Sequence, residues 1–279
     1  MINATELAET EPSLGSNRHI ALLIDADNVS STKISAILAE IARYGTANIR
    51  RAYGDWSDTK LKGWKAQLHE YAVRPIQQFS YSKGKNATDI ALVIDGMELL
   101  YTQRLDAFCI ASSDGDFTPL VMHLRAAGKA VYGFGKSNTP KPFVNACTTF
   151  LYLENLGDTD EPTAPVAIEA KDDAKRVEPK AAKPDPAQSK PAKKLAQDTK
   201  LITVLRGAVD ATAKENGWAQ VSAAGSAAKR LAPIDPRNHG VSTFTKLFEA
   251  TGLFEVVRGK NDQPYVADRK KKHSEKPDE

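Results

Sequence analysis

The chain has 279 residues, 38 Lys plus Arg against 35 Asp plus Glu, and 41% hydrophobic residues. That length suits about two domains with buried cores, and a formal net charge of +3 excludes a histone-like polycation. Two cysteines exclude a disulfide scaffold, and no apolar run approaches the ~20 residues of a membrane span. Residues 1–17 are acidic and polar, without a basic region followed by an apolar one. They read as a disordered N-terminus rather than a secretory signal, and the expected compartment is a reducing cytoplasm.

Residues 18–156 alternate apolar runs with helical patterns. The run IALLID, Ile20 to Asp25, suits a strand buried on both faces. Ile34, Ile37, Leu38 and Ile41 then fall at helical spacing, and Gly45 can end that helix. A second strand is expected over 47–53, a helix over 56–71 and a third strand over 74–81. The loop Ser82-Lys83-Gly84-Lys85 leads into a long helix over 86–103, and Ala107 to Ser112 (AFCIAS) is a fourth buried strand. Thr118 is expected to cap a helix with Pro119 at its first position. A fifth strand over 130–134 and a last helix over 141–149 follow. Strands alternating with helices predict a parallel sheet with helices on both sides.

The composition then changes. Six of the fifteen prolines fall between Pro162 and Pro191, and residues 157–199 are mostly Ala, Pro, Lys, Glu and Asp. So few large apolar side chains cannot offset the entropy of ordering, which predicts a flexible linker. Globular patterning returns over 200–267. Leu201, Val204, Leu205 and Val209 keep helical spacing, 223–231 is amphipathic, and Phe244, Leu247 and Phe248 mark a third helix. LFEVVRG and PYVAD read as a hairpin, giving a small winged-helix-like domain. The end, 268–279, carries Arg269 to Lys272 and reads as a basic, disordered tail.

Candidate chemistry lies at the strand ends, where ligands bind in open parallel sheets. IALLID ends in Asp25, followed by Asp27 and Asn28, and AFCIAS runs into Ser113, Asp114 and Asp116. Asp89 stands in the first turn of the long helix. If the first and fourth strands are neighbours, Asp25 and Asp114 sit side by side. Carboxylates gathered without Lys or Arg repel one another unless a divalent cation lies among them. Oxygen ligands suit Mg²⁺ or Mn²⁺, and such metals serve phosphodiester hydrolysis. Taken singly, Asp25 could cap a helix, Asp114 and Asp116 could form a turn about Gly115, and Asp89 could favour the helix dipole. Asp95, six residues after Asp89, is rotated well away from it.

IDADNV, GKNATDIALVIDGMELL and CIASSDGDFTPLVMHLRAAGKAVYGFG together resemble the NYN domain, the LabA-like branch of the PIN-like nucleases. The resemblance covers about Arg18 to Leu156. It implies a PIN-like α/β/α sandwich and a Mg²⁺- or Mn²⁺-dependent endoribonuclease leaving 5′-phosphate and 3′-hydroxyl ends. Carried over by position, Asp25, Asp89, Asp114 and Asp116 are the catalytic and metal-holding acids, and Asn28 orients Asp25 or the metal. GWAQVSAAGSAAKRLAPIDPRNHGVSTFTKLFEATGLFEVVRG resembles a LOTUS (OST-HTH) domain, a module that contacts RNA or proteins. The family often has Tyr-Gly where this chain has His239-Gly240, which weakens any specific contact there.

RNA would then be held by Lys83 and Lys85, by Ser112 and Ser113 beside the acids, and by the helix start near Thr118. Tyr53, Trp56 or Tyr81 could stack on an unpaired base. Two rival readings remain. Asp25-Ala26-Asp27-Asn28-Val29 also fits the start of haloacid-dehalogenase-like phosphatases, with Asp25 as nucleophile. Alternatively, the acids are idle and the chain is an RNA-binding adaptor.

Overall fold

The computed structural model describes residues 18–79, 86–156, 195–259 and 262–271. Tyr81, Lys83, Lys85, the linker up to residue 194 and the tail from Lys272 lie outside the described residues. Strands β1 (His19–Asp25), β2 (Thr46–Gly54), β3 (Arg74–Gln77), β4 (Ala107–Ala111), β5 (Ala130–Gly135) and β6 (Thr149–Tyr152) form one sheet in the order β3-β2-β1-β4-β5-β6. Every pairing in it is parallel. Residues Ile20 to Ile24 of β1 are fully buried because alternate side chains enter two different cores. Ile20, Leu22 and Ile24 join α1 (Ile34–Ile41) and α2 (Trp64–Glu70), while Ala21 and Leu23 join α3 (Ala87–Thr102), α4 (Thr118–Ala126) and α5 (Lys141–Ala146). Burying each large side chain contributes roughly 1.5–3 kcal/mol. The result is the expected α/β/α sandwich. Chain order reverses between β1 and β4, and the carboxyl ends of these two strands are where open parallel sheets form their ligand crevice.

Several elements differ from expectation. The helix expected over 141–149 ends at Ala146, because the chain extends at Cys147, and TFLY adds an unexpected sixth strand that pairs with β5. The helix expected over 56–71 is confined to α2, since Asp58 instead caps a 3-10 turn over Thr59–Leu61. Thr118 closes the 3-10 turn over Gly115–Phe117 instead of capping the start of α4. Its hydroxyl donates to the Gly115 carbonyl at 2.5 Å, and Asp114 caps the preceding 3-10 turn.

In the C-terminal region α6 (Thr199–Thr212), α7 (Val221–Leu231) and α8 (Phe244–Thr251) pack on an antiparallel sheet. Its strands are β7 (Ala219–Gln220), β8 (Phe254–Arg258) and β9 (Pro264–Asp268), in the order β7-β9-β8. Gly225 lets the Phe244 ring approach; a Cβ there would lie 2.9 Å from it. The first tail residues are held rather than loose. Asp268 completes β9 and pairs with Arg206 at 2.8 Å, Arg269 Nε donates to the Phe254 carbonyl, and Lys271 reaches Asp210. No helix among the described residues is long and apolar enough to cross a membrane.

A 3-10 turn over Pro236–His239 docks the C-terminal region on the sheet. Asn238 Nδ2 donates to the Phe150 carbonyl at 2.7 Å, and its Oδ1 accepts from the Tyr152 amide at 3.2 Å. The side-chain amide thus stands in for a neighbouring strand at the β6 edge. Arg237 donates to both Glu40 carboxylate oxygens, at 2.5 and 2.7 Å, and to Asp235 at 2.9 Å.

Candidate active site

The adjacency of β1 and β4 brings Asp25 against the turn that follows Ala111. Asp25 is 1% exposed. Its Oδ2 accepts from Asn28 Nδ2 at 2.6 Å and from Ser112 Oγ at 2.7 Å. Ser112 Oγ accepts the Asp114 amide, Asp114 Oδ1 accepts the Asp116 amide, and Asn86 Nδ2 reaches Asp116 Oδ2 at 3.4 Å. One run of hydrogen bonds therefore links β1, the turn after β4 and the start of α3. Asp25 Oδ1 is buried without a partner. A buried carboxylate oxygen left unpaired costs on the order of 1–3 kcal/mol or more.

Electrostatics gather the same residues. Asp89 is pushed up to about 6, first by burial and then by the charges of Asp25, Asp114, Asp116 and Asp27. Asp27 is raised by burial and by Asp25 and Asp58, against a hydrogen bond from Thr88. Asp25 is raised by burial, which the bonds from Asn28 and Ser112 do not cancel. Among the described residues, none of Asp25, Asp27, Asp89, Asp114 and Asp116 has a Lys or Arg salt-bridge partner. Elsewhere the protein compensates its buried acids, so this group stands apart.

The donor set fits a hard divalent cation: oxygen ligands only, mutual repulsion, and one buried oxygen with nothing to bond. It does not form a closed cage. Among the described residues no three His, Cys, Asp or Glu side chains lie close enough to ligate one ion together. Mg²⁺ commonly takes one or two carboxylates and keeps several waters, so the open arrangement suits that ion.

Other sequence candidates have different places. Ser112 is fully buried and its hydroxyl is spent on Asp25 and Asp114, so it positions Asp25 instead of touching substrate. Ser113 Oγ accepts the Lys136 amide and ties the turn to the loop after β5. Tyr53 cannot stack on a base: it is fully buried and its hydroxyl donates to Asp95, which also binds Arg51. The haloacid-dehalogenase-like reading gives no role to Asp89, which here shares the electrostatics of Asp25, Asp114 and Asp116. Asn86 and Thr88 were missed. Asn preceding a helix is a recognisable cap signal, but Asn86 makes no such bond and turns to Asp116 instead.

Residues 19–154 match the family model of the NYN domain, and residues 193–266 match that of the OST-HTH/LOTUS domain. No curated protein matches the chain. Among solved structures, a protein of unknown function from Vibrio parahaemolyticus is similar at 18% identity and a TM-score of 0.41, over 49% of this chain and 93% of that one. The WlbA dehydrogenase from Bordetella pertussis, in complex with NADH and UDP-GlcNAcA, is similar at 17% identity and a TM-score of 0.27, over 49% of this chain and 30% of that one. Likeness of this degree says nothing about chemistry.

Proposed function

We propose, from the premise that the chain joins an NYN domain to an OST-HTH/LOTUS domain, that it is a metal-dependent endoribonuclease with an RNA- or protein-binding module. The observation that carries this reading is the group of carboxylates at the β1/β4 strand ends, without a Lys or Arg partner among the described residues, together with the unpartnered Asp25 Oδ1. Asp25, Asp89, Asp114 and Asp116 would hold Mg²⁺ or Mn²⁺, no more than two of them directly and the rest through waters on the ion. When bound, the ion supplies Lewis-acid stabilisation of charge on phosphate oxygens and lowers the pKa of water. Asn28 and Ser112 fix the Asp25 carboxylate in one orientation, and the Ser112–Asp114–Asp116 run fixes the turn opposite it. The crevice between the strand ends gives the phosphodiester its approach.

The open carboxylate arrangement supports a second reading, an RNA-binding adaptor whose acids are idle. Incubation of full-length protein with end-labelled single-stranded RNA and Mn²⁺ separates the two. The nuclease reading expects cleavage that falls at least about 100-fold in Asp25→Asn and Asp114→Asn. Binding without cleavage, or equal cleavage by wild type and variants, sinks it and leaves the adaptor.

A further inference from the structure

Next to the crevice, between α2 and β3, lies a cavity of about 470 Å³. That volume falls within the ~300–1,000 Å³ of small-ligand sites. Leu61, Leu68 and Val73 give it an apolar floor. Lys62, Lys65 and His69 stand on its rim, and Asp58 is the one acid among its lining residues. Trp56 forms one wall, half-buried and fixed. Its indole N–H donates to the Ile76 carbonyl and its amide to Gln77 Oε1, both at 3.0 Å. The groove lies close to the acids: Asp58, which lines it, is among the charges that raise Asp27, and Gly54 stands between Ala26 and the Trp56 ring. A Cβ on Gly54 would lie 3.5 Å from Ala26 and 4.0 Å from the Trp56 ring, and Ala26 stands between Asp25 and Asp27.

We propose that this groove binds an unpaired base of single-stranded RNA against Trp56, with the flanking phosphates on Lys62 and Lys65. The identity of the ligand rests on the nuclease reading above. A rigid aromatic wall over an apolar floor accepts the face of any base, and a base in a duplex cannot present that face. The basic rim favours a polyanion over an apolar peptide. Two lysines three positions apart suit the phosphates on either side of the stacked base. The groove would thus hold the strand beside the acids and confine cleavage to unpaired segments.

The chain has three tryptophans, and Trp64 and Trp218 are only 3% and 2% exposed, so stacking would quench Trp56 alone. The test titrates full-length Asp114→Asn protein with a single-stranded RNA of about 12 nucleotides, read by tryptophan fluorescence and anisotropy. The expected result is quenching that disappears in Trp56→Leu, with binding about tenfold weaker. Trp56→Phe retains most of the affinity. Lys62→Gln and Lys65→Gln each reduce the slope of log affinity against log salt by roughly 0.7. Absence of quenching, or unchanged affinity in Trp56→Leu, overturns the proposal. So does equal quenching by a duplex or by an acidic peptide, the latter assigning the groove to a protein. Quenching without cleavage by wild type sinks only the nuclease reading. Cleavage by wild type, with Trp56→Leu binding unchanged, sinks only the groove.

Discussion

Buried acids are treated in opposite ways at two places in this molecule. Between the two domains, Glu40 and Asp235 are almost fully buried and share the guanidinium of Arg237. Burial alone would raise the Asp235 carboxyl, but hydrogen bonds and charge from Arg237 hold it below its ordinary value. At the β1/β4 crevice, burial and like charge act together, and Asp25, Asp27 and Asp89 are all raised. A fold that places an arginine on one pair of acids and, among the described residues, none on the other group leaves that second group available to an external cation.

The contrast is sharpest on removing the compensating charge. Arg237→Ala leaves Asp235 without its cation, and Glu40 with only the exposed Arg43 and the Tyr44 hydroxyl, and is expected to destabilise the protein by about 3 kcal/mol, measured by urea denaturation. Combining Glu40→Gln and Asp235→Asn with Arg237→Met should recover most of that loss. If Arg237→Ala is silent, the docked arrangement does not persist in solution.

The second expectation concerns pH. Protons compete with a cation for the crevice acids, so Mn²⁺ affinity should fall about tenfold per pH unit below about 6, as Asp89 takes up its proton. Calorimetric titration between pH 5 and pH 8 checks this, and a flat profile would contradict it.

Stability should follow opposite signs at the two places. The folded state binds the Asp89 proton more tightly than the unfolded chain, so stability declines as pH rises from 3.8 towards about 6 and the penalty then stays constant. Asp89→Asn in metal-free buffer should therefore raise stability at pH 7 by about 1 kcal/mol, a figure reduced for solvent screening, and should give no gain at the acid end. Asp235 does the reverse: its contribution is present above its unfolded value and is lost as pH falls below it. Thermal melts across pH decide both. The smallest effect belongs to the exposed Arg258–Asp262 pair, where Arg258→Ala should leave the melting temperature unchanged.

The sequence made the crevice acids legible and hid the acids around Arg237. Continuous apolar runs ending in acid revealed the strands β1 and β4, because a strand buried on both faces leaves a distinct pattern. Their pairing then placed Asp25 near Asp114. The sixth strand was hidden because TFLY is too short to show a period. Ser112 was misread because a serine beside acids gives no sign of which way its hydroxyl points. Trp56 was noticed, but its groove depends on Lys62 and Lys65, which in sequence look like a solvated turn. Glu40 and Arg237 are 197 positions apart, and Glu40 stands between Ala39 and Ile41 in a mostly apolar helix. No local pattern marks such a pair.

The claim on which the functional account depends is that the crevice acids are a cation site. Electron paramagnetic resonance of free Mn²⁺, followed during titration with the full-length protein at pH 7.5, measures it without reference to RNA. The account predicts saturable binding in the wild type, lost in both Asp25→Asn and Asp114→Asn. Free Mn²⁺ undiminished by the wild type, or taken up equally by both variants, would contradict it.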